Sequence, residues 1–169
     1  EEPTTETPDQ KVTLTAKNTV VTVPSVTYTG KAQKPAVKVT VSGKALSTDD
    51  YSVAYSNNKN AGIAKVVITG KGNYTGKVES TFVIKKASQT IQKQTVYAYS
   101  KYVKMKASAK GKVTYTSSNK KIATVNKKTG FVTAKKPGKV QIKVTAAATA
   151  NYKKSTGTIT LIVVPATPT

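Results

Sequence analysis

Apolar residues recur at every second position in this chain. Val37-Lys38-Val39-Thr40-Val41, Tyr51-Ser52-Val53-Ala54-Tyr55, Val103-Lys104-Met105-Lys106-Ala107 and Val140-Gln141-Ile142-Lys143-Val144 all follow the pattern. A period of two fits a β-strand, whose successive side chains point to opposite faces, and does not fit the 3.6-residue turn of a helix. The intervening residues are mostly Lys, Thr, Ser or Gln. One face of each strand therefore meets water, as in antiparallel sheets. Turn signals separate the runs: Ser42-Gly43-Lys44, Ser56-Asn57-Asn58-Lys59-Asn60, Lys71-Gly72-Asn73, Lys128-Thr129-Gly130 and Lys136-Pro137-Gly138. Many short strands at near-regular spacing predict an all-β fold of antiparallel β-sandwiches.

Composition points the same way and closes off much chemistry. β-Branched and aromatic residues, which suit a pleated sheet, are abundant, and Leu occurs only at positions 14, 46 and 161. The chain has no Cys, His or Arg. That removes disulfide frameworks, zinc fingers, haem ligation, a Cys nucleophile and a His base. The seven carboxylates are Glu1, Glu2, Glu6, Asp9, Asp49, Asp50 and Glu79, too few and too scattered for acid–base work or hard-metal binding. No catalytic residue, cofactor or metal is expected. No apolar run approaches the roughly 20 residues that span a bilayer, so no membrane insertion is expected either.

The 169 residues divide near Lys86. Residues 11–86 carry 12 Lys and three acids, a net charge of +9; residues 87–169 carry 16 Lys and no acid, a net charge of +16. Each part closes alike: a strand, an Asn-Tyr pair (Asn73-Tyr74 or Asn151-Tyr152), a Gly-containing turn and a long last strand. We expect two consecutive sandwich domains, 11–86 and 87–164. The Pro/Thr-rich tracts 1–10 and 165–169 read as linkers in a longer chain. Lys85-Lys86-Ala87-Ser88-Gln89 reads as a short junction without Gly or Pro.

The second part resembles the bacterial Ig-like domain of group 2. The match runs through Val113-Thr114-Tyr115-Thr116-Ser117-Ser118-Asn119, Ile122-Ala123-Thr124-Val125, Thr129-Gly130-Phe131-Val132-Thr133-Ala134 and Pro137-Gly138-Lys139-Val140-Gln141-Ile142-Lys143-Val144, within about residues 89–164. Tyr115 stands where the family commonly has Trp, and it fits there if its hydroxyl reaches a partner or solvent. Residues 25–86 resemble a second class of bacterial Ig-like repeat through Tyr28-Thr29-Gly30-Lys31, Asp50 to Asn58, Ala61-Gly62 and Gly70 to Gly76. The resemblance implies tandem Ig-like modules of Gram-positive surface or secreted proteins. It also implies an extracellular location and a structural spacer role. The expected partners are the neighbouring domains of the same parent chain, with the chain itself a monomer.

Four residue patterns invite a chemical reading. Ser117-Ser118-Asn119-Lys120 and Lys128-Thr129-Gly130 echo penicillin-binding enzymes, but they lie too close together and inside the Ig-like pattern. Asp49-Asp50 reads as a turn bonded to local amides rather than as a calcium pair. Glu79, the one strand carboxylate, falls opposite Val78 and is expected to be exposed, out of reach of a buried Lys–Asn isopeptide bond. The lysines alternate along strands instead of clustering, and Arg is absent. They read as a solvated face that blocks edge pairing, with attraction to anionic wall or host glycans as the alternative and no nucleic acid.

Tyr97, Tyr99 and Tyr102 form the one aromatic cluster. Buried, they are core, the commoner role of strand-spaced aromatics. Exposed, they make a platform for sugar rings, the mark of an adhesive or carbohydrate-binding module.

Overall fold

The computed structural model describes residues 10–165; apart from Gln10 and Pro165, the two expected linkers lie outside the described residues. The chain divides into two compact units, Glu1–Lys86 and Ala87–Thr169. Both are β-sandwiches, and among the described residues the helical element is a 3-10 turn at Thr48–Asp50.

The strands of the first unit are β1 (Val12–Thr13), β2 (Thr19–Thr22), β3 (Val26–Thr27), β4 (Lys38–Val41), β5 (Lys44–Ala45), β6 (Tyr51–Ser56), β7 (Gly62–Gly70), β8 (Tyr74–Thr75) and β9 (Lys77–Lys85). The two larger sheets have the orders β2-β4-β5 and β3-β9-β7-β6, and β1 and β8 form a small two-stranded one. The alternation in β7 buries Ala64, Val66 and Ile68, which are wholly inaccessible. They pack with Val39, Val41, Phe82 and Ile84 from the facing and neighbouring strands. Each Val or Ile removed from water contributes about 1.5–3 kcal/mol, and this burial holds the two sheets together. Tyr51 and Tyr55 keep their hydroxyls paired in this interior. Tyr51 donates to Val37 O at 3.0 Å and Tyr55 to Pro35 O at 2.6 Å. Burial raises the pKa of Tyr55, with Tyr51 adding to the effect, so the ring stays a neutral donor.

The second unit contains β10 (Gln94–Ala98), β11 (Tyr102–Lys104), β12 (Val113–Ser117), β13 (Ala123–Val125), β14 (Phe131–Ala134), β15 (Gly138–Ala146) and β16 (Ser155–Val163). Its sheets are β10-β16-β15-β12 and β11-β14-β13. One continuous core lies between them, with Met105, Val132, Ile142, Val144, Ile159 and Leu161 at its centre. Tyr115 belongs to this core at 7% exposure, and its hydroxyl accepts a hydrogen bond from Ala107 N at 3.1 Å. The polar tip of Tyr115 thus has its partner. Tyr115→Phe would strand that amide, so a loss of about 1 kcal/mol is expected in urea unfolding. An unchanged midpoint would show that water replaces the bond.

Most pairing is antiparallel, but β3 lies parallel to β9, β10 to β16 and β1 to β8. These parallel contacts define the path of the chain through each unit. In the first, Val12 N donates to Asn73 O (2.9 Å) and Leu14 N to Thr75 O (2.8 Å), beside the turn that precedes β9. In the second, Ala87 N donates to Asn151 O (2.9 Å) and Lys153 N to Ala87 O (2.8 Å), beside the turn that precedes β16. The Asn-Tyr pairs thus mark where the arriving chain docks in both units. Each last strand then runs nine residues to the far end of its unit. At about 3.3 Å per residue, arrival and departure are roughly 30 Å apart.

The junction reading of residues 85–89 needs correction. Ala87 pairs with Tyr152, and Gln89 is 8% exposed within the second unit. Gln89 Nε2 donates to Ala147 O (2.9 Å) and Lys153 O (2.7 Å), while Oε1 accepts from Lys110 N (2.9 Å) and Gly111 N (3.1 Å). One side chain therefore ties its own segment to two loops, the one between β11 and β12 and the one between β15 and β16. Gly111 belongs to this knot, since a Cβ there would stand 2.0 Å from Ala147 O.

Candidate functional site

The outer face of the four-stranded sheet in the second unit is built by the strand register. Thr114, Thr145 and Thr156 form one row across three strands, and Thr116, Lys143 and Thr158 form the next. Gln141, Thr160 and Thr95 follow, then Lys139, Ile162 and Tyr97. The alternate residues Val96 and Ala98 turn to the core, which sends Thr95 and Tyr97 outward. An open depression of about 340 Å³ on this face is lined by Thr116, Ser118, Gln141, Lys143 and Thr158.

Tyr97 and Tyr99 stand at the end of this face, 51% and 79% exposed. Their rings are near-parallel, at 23°, with centroids 6.2 Å apart. Sequence spacing favoured a core role; the structure places both outside, because no second sheet covers that side of β10. Tyr102, 63% exposed, belongs to the other sheet, where Lys101 Nζ lies 5.4 Å from its ring centroid. Next to it across the strands, Lys104 Nζ sits 5.1 Å from the centroid of exposed Phe131. The cluster of three is thus a stacked pair plus a separate ring.

Tyr99 also lines an open groove of about 300 Å³ with Lys101, Lys135, Lys136, Pro137 and Val164. Sequence reasoning missed this groove, because its walls come from the turn after β10, the turn after β14 and the end of the last strand. The available signal was the Lys135-Lys136-Pro137 turn, which carries two lysines next to a rigid proline.

The other candidate residues do structural work. Ser117 Oγ donates to Ala123 O at 2.7 Å and accepts from Asn119 N at 3.2 Å; Ser118 Oγ accepts from Gln141 N at 3.2 Å. These hydroxyls close strand ends instead of facing a base. Asp50 Oδ2 accepts from Ser47 N at 3.0 Å and Ser47 Oγ from Asp49 N at 3.4 Å, a capping box on the 3-10 turn. Glu79 is exposed and pairs with Lys65 at 2.5 Å. Among the described residues, no group of three or more Asp, Glu, His or Cys side chains is placed to hold a metal ion, and no helix is long and apolar enough to cross a membrane.

Residues 80–157 match the family model of the bacterial Ig-like domain (group 2). The Ig-like match covers somewhat under half of the chain, begins within β9 and takes in β10 to β15. Among solved structures, the chain is similar to Drosophila N-cadherin EC1-4 at 11% identity and a TM-score of 0.34, covering 84% of this chain and 48% of that one. It is also similar to domains 4 and 5 of the S-layer protein SbsC, at 15% identity and a TM-score of 0.31, covering 87% and 98%. A third is a SusE-like surface located polysaccharide binding protein from the Bacteroides thetaiotaomicron heparin utilisation locus, at 12% identity and a TM-score of 0.29, covering 86% and 34%. The chain spans about half the length of the cadherin structures it resembles. Among curated proteins, none matches it.

Proposed function

We propose that the chain is a non-catalytic spacer of an extracellular bacterial surface or secreted protein, with a second class of Ig-like repeat at residues 25–86 preceding the group 2 module. Its partners in this role are the neighbouring domains of the same parent chain, and it acts as a monomer. The observation that carries the reading is the chain path: in each unit the polypeptide arrives at one end and leaves at the other. A pull on the two ends of the second unit runs along the strands, so β10 and β16, paired over Gln94–Ala98 and Ile159–Val163, are loaded in shear. Their hydrogen bonds share the load instead of opening one at a time. In the first unit the β3–β9 contact is only two residues long.

Single-molecule stretching of the chain between its termini tests this. Two discrete unfolding events are expected, each releasing on the order of 200–250 Å at about 3.5 Å per residue. The first unit is expected to yield before the second. Smooth extension without a force peak would overturn the spacer reading.

One observation favours a second reading, an adhesive or carbohydrate-binding module: Tyr97 and Tyr99 lie on the surface as a stacked pair.

A further inference from the structure

The class of ligand follows from the charge around the tyrosines, and this step rests on the binding reading. We propose that the Tyr97–Tyr99 pair and the adjoining groove form one site for an anionic polysaccharide.

Three observations carry it. The stacked rings offer a flat apolar surface more than half open to water, and the C–H face of a pyranose is apolar in the same way. Tyr99 is shared between the ring pair and the groove, so a chain lying on the rings passes directly into it. A groove of about 300 Å³ is at the low end for ligand pockets, which suits one sugar unit of a longer chain. The rim is formed by Lys101, Lys135 and Lys136, brought together from two turns more than thirty residues apart.

Residues 87–169 contain no carboxylate, so no side chain of this unit neutralises those ammonium groups. An acidic ligand supplies the missing counter-charge. Lysine, a mobile point charge, accepts carboxylate or sulfate without the fixed two-pronged geometry of arginine. That matches a flexible repeating polymer. The hydroxyl and amide rows beyond Tyr97 extend the same polar face for further sugar units.

The test is affinity electrophoresis of the full chain in gels containing polygalacturonate, dextran sulfate or neutral dextran, with a single-stranded oligonucleotide as competitor. At 150 mM salt the screening length is about 8 Å, so the diffuse charge of the unit contributes little. Retardation by polygalacturonate or dextran sulfate is expected, the two probes telling carboxylate from sulfate recognition. Tyr97→Ala with Tyr99→Ala, and separately the triple change Lys101→Gln, Lys135→Gln, Lys136→Gln, are each expected to weaken it at least about tenfold, at unchanged melting temperature. The control triple Lys120→Gln, Lys121→Gln, Lys128→Gln removes equal charge elsewhere and is expected to cost less than about threefold. An equal loss from the control triple would overturn the site in favour of diffuse attraction. Tighter binding of the oligonucleotide would overturn the ligand class. Tyrosine-dependent retardation by neutral dextran alone would leave the binding reading standing and remove the anionic inference. No retardation by any polysaccharide would remove both.

Discussion

Replacing Gln89 by leucine is expected to destabilise the second unit by about 3–5 kcal/mol, although the two side chains are similar in size. Four backbone groups depend on this one amide: the carbonyls of Ala147 and Lys153 and the N–H groups of Lys110 and Gly111. A buried group left without a partner costs about 1–3 kcal/mol. The site opens on one side to a depression lined by Ser88, Thr90 and Lys110, so water recovers part of the loss. For a domain of this size, each kcal/mol moves the melting temperature by about 4–8 °C, so the expected fall is about 12–40 °C. Hydrogen exchange locates the effect: amides of β15 and β16 should lose protection while those of β7 and β9 keep it. Gln89→Glu, neutral at low pH, keeps both acceptor contacts and can donate to only one of the two carbonyls, so there it should fall between wild type and Gln89→Leu. A shift of only a few degrees for Gln89→Leu would mean that the loops are held by packing alone.

Gly130→Ala is expected to cost a similar 3–5 kcal/mol, for a different reason. Gly130 has φ +73°, a left-handed conformation that penalises any residue with a Cβ by about 1–2 kcal/mol. The added methyl would also stand 2.8 Å from Met105 O and 3.0 Å from the Tyr115 ring. Neither can retreat freely. Met105 N donates to Gly130 O at 2.8 Å, and the Tyr115 hydroxyl is tied to Ala107. Gly43→Ala separates the two contributions: Gly43 has φ +83° with nothing within 4 Å of the built Cβ, so only the conformational cost of about 1–2 kcal/mol is expected. Chemical unfolding of both variants decides the matter. Equal losses would show that the contact with Met105 and Tyr115 relaxes at no cost.

Much of the sandwich was legible because its signal is local. In β15 the alternation buries Val140, Ile142, Val144 and Ala146 and exposes Lys139 and Lys143, as a period of two requires. Ser42 and Gly43, both at positive φ, form the two-residue turn that joins β4 to β5, and their residue types announce it. The exposure of Glu79 and the local bonding of Asp49 and Asp50 followed from the same kind of reading. The candidate site was legible only as three tyrosines. Alternation says that Tyr97 and Tyr99 share a side; it does not say whether that side meets a second sheet or water.

The amino-acid order by itself determined the strands, their faces, the turns and the absence of the residue types that most enzymes need, because each depends on neighbours a few positions apart. The tertiary structure alone decided three things. It set which face of β10 is covered, which distant loop Gln89 binds across 58 and 64 residues, and which lysines meet Tyr99 in the groove. The reason is that strand periodicity is blind to pairing partner. The same alternating stretch can lie on either side of a sheet, and only closure of the two sheets over one core fixes what stays outside.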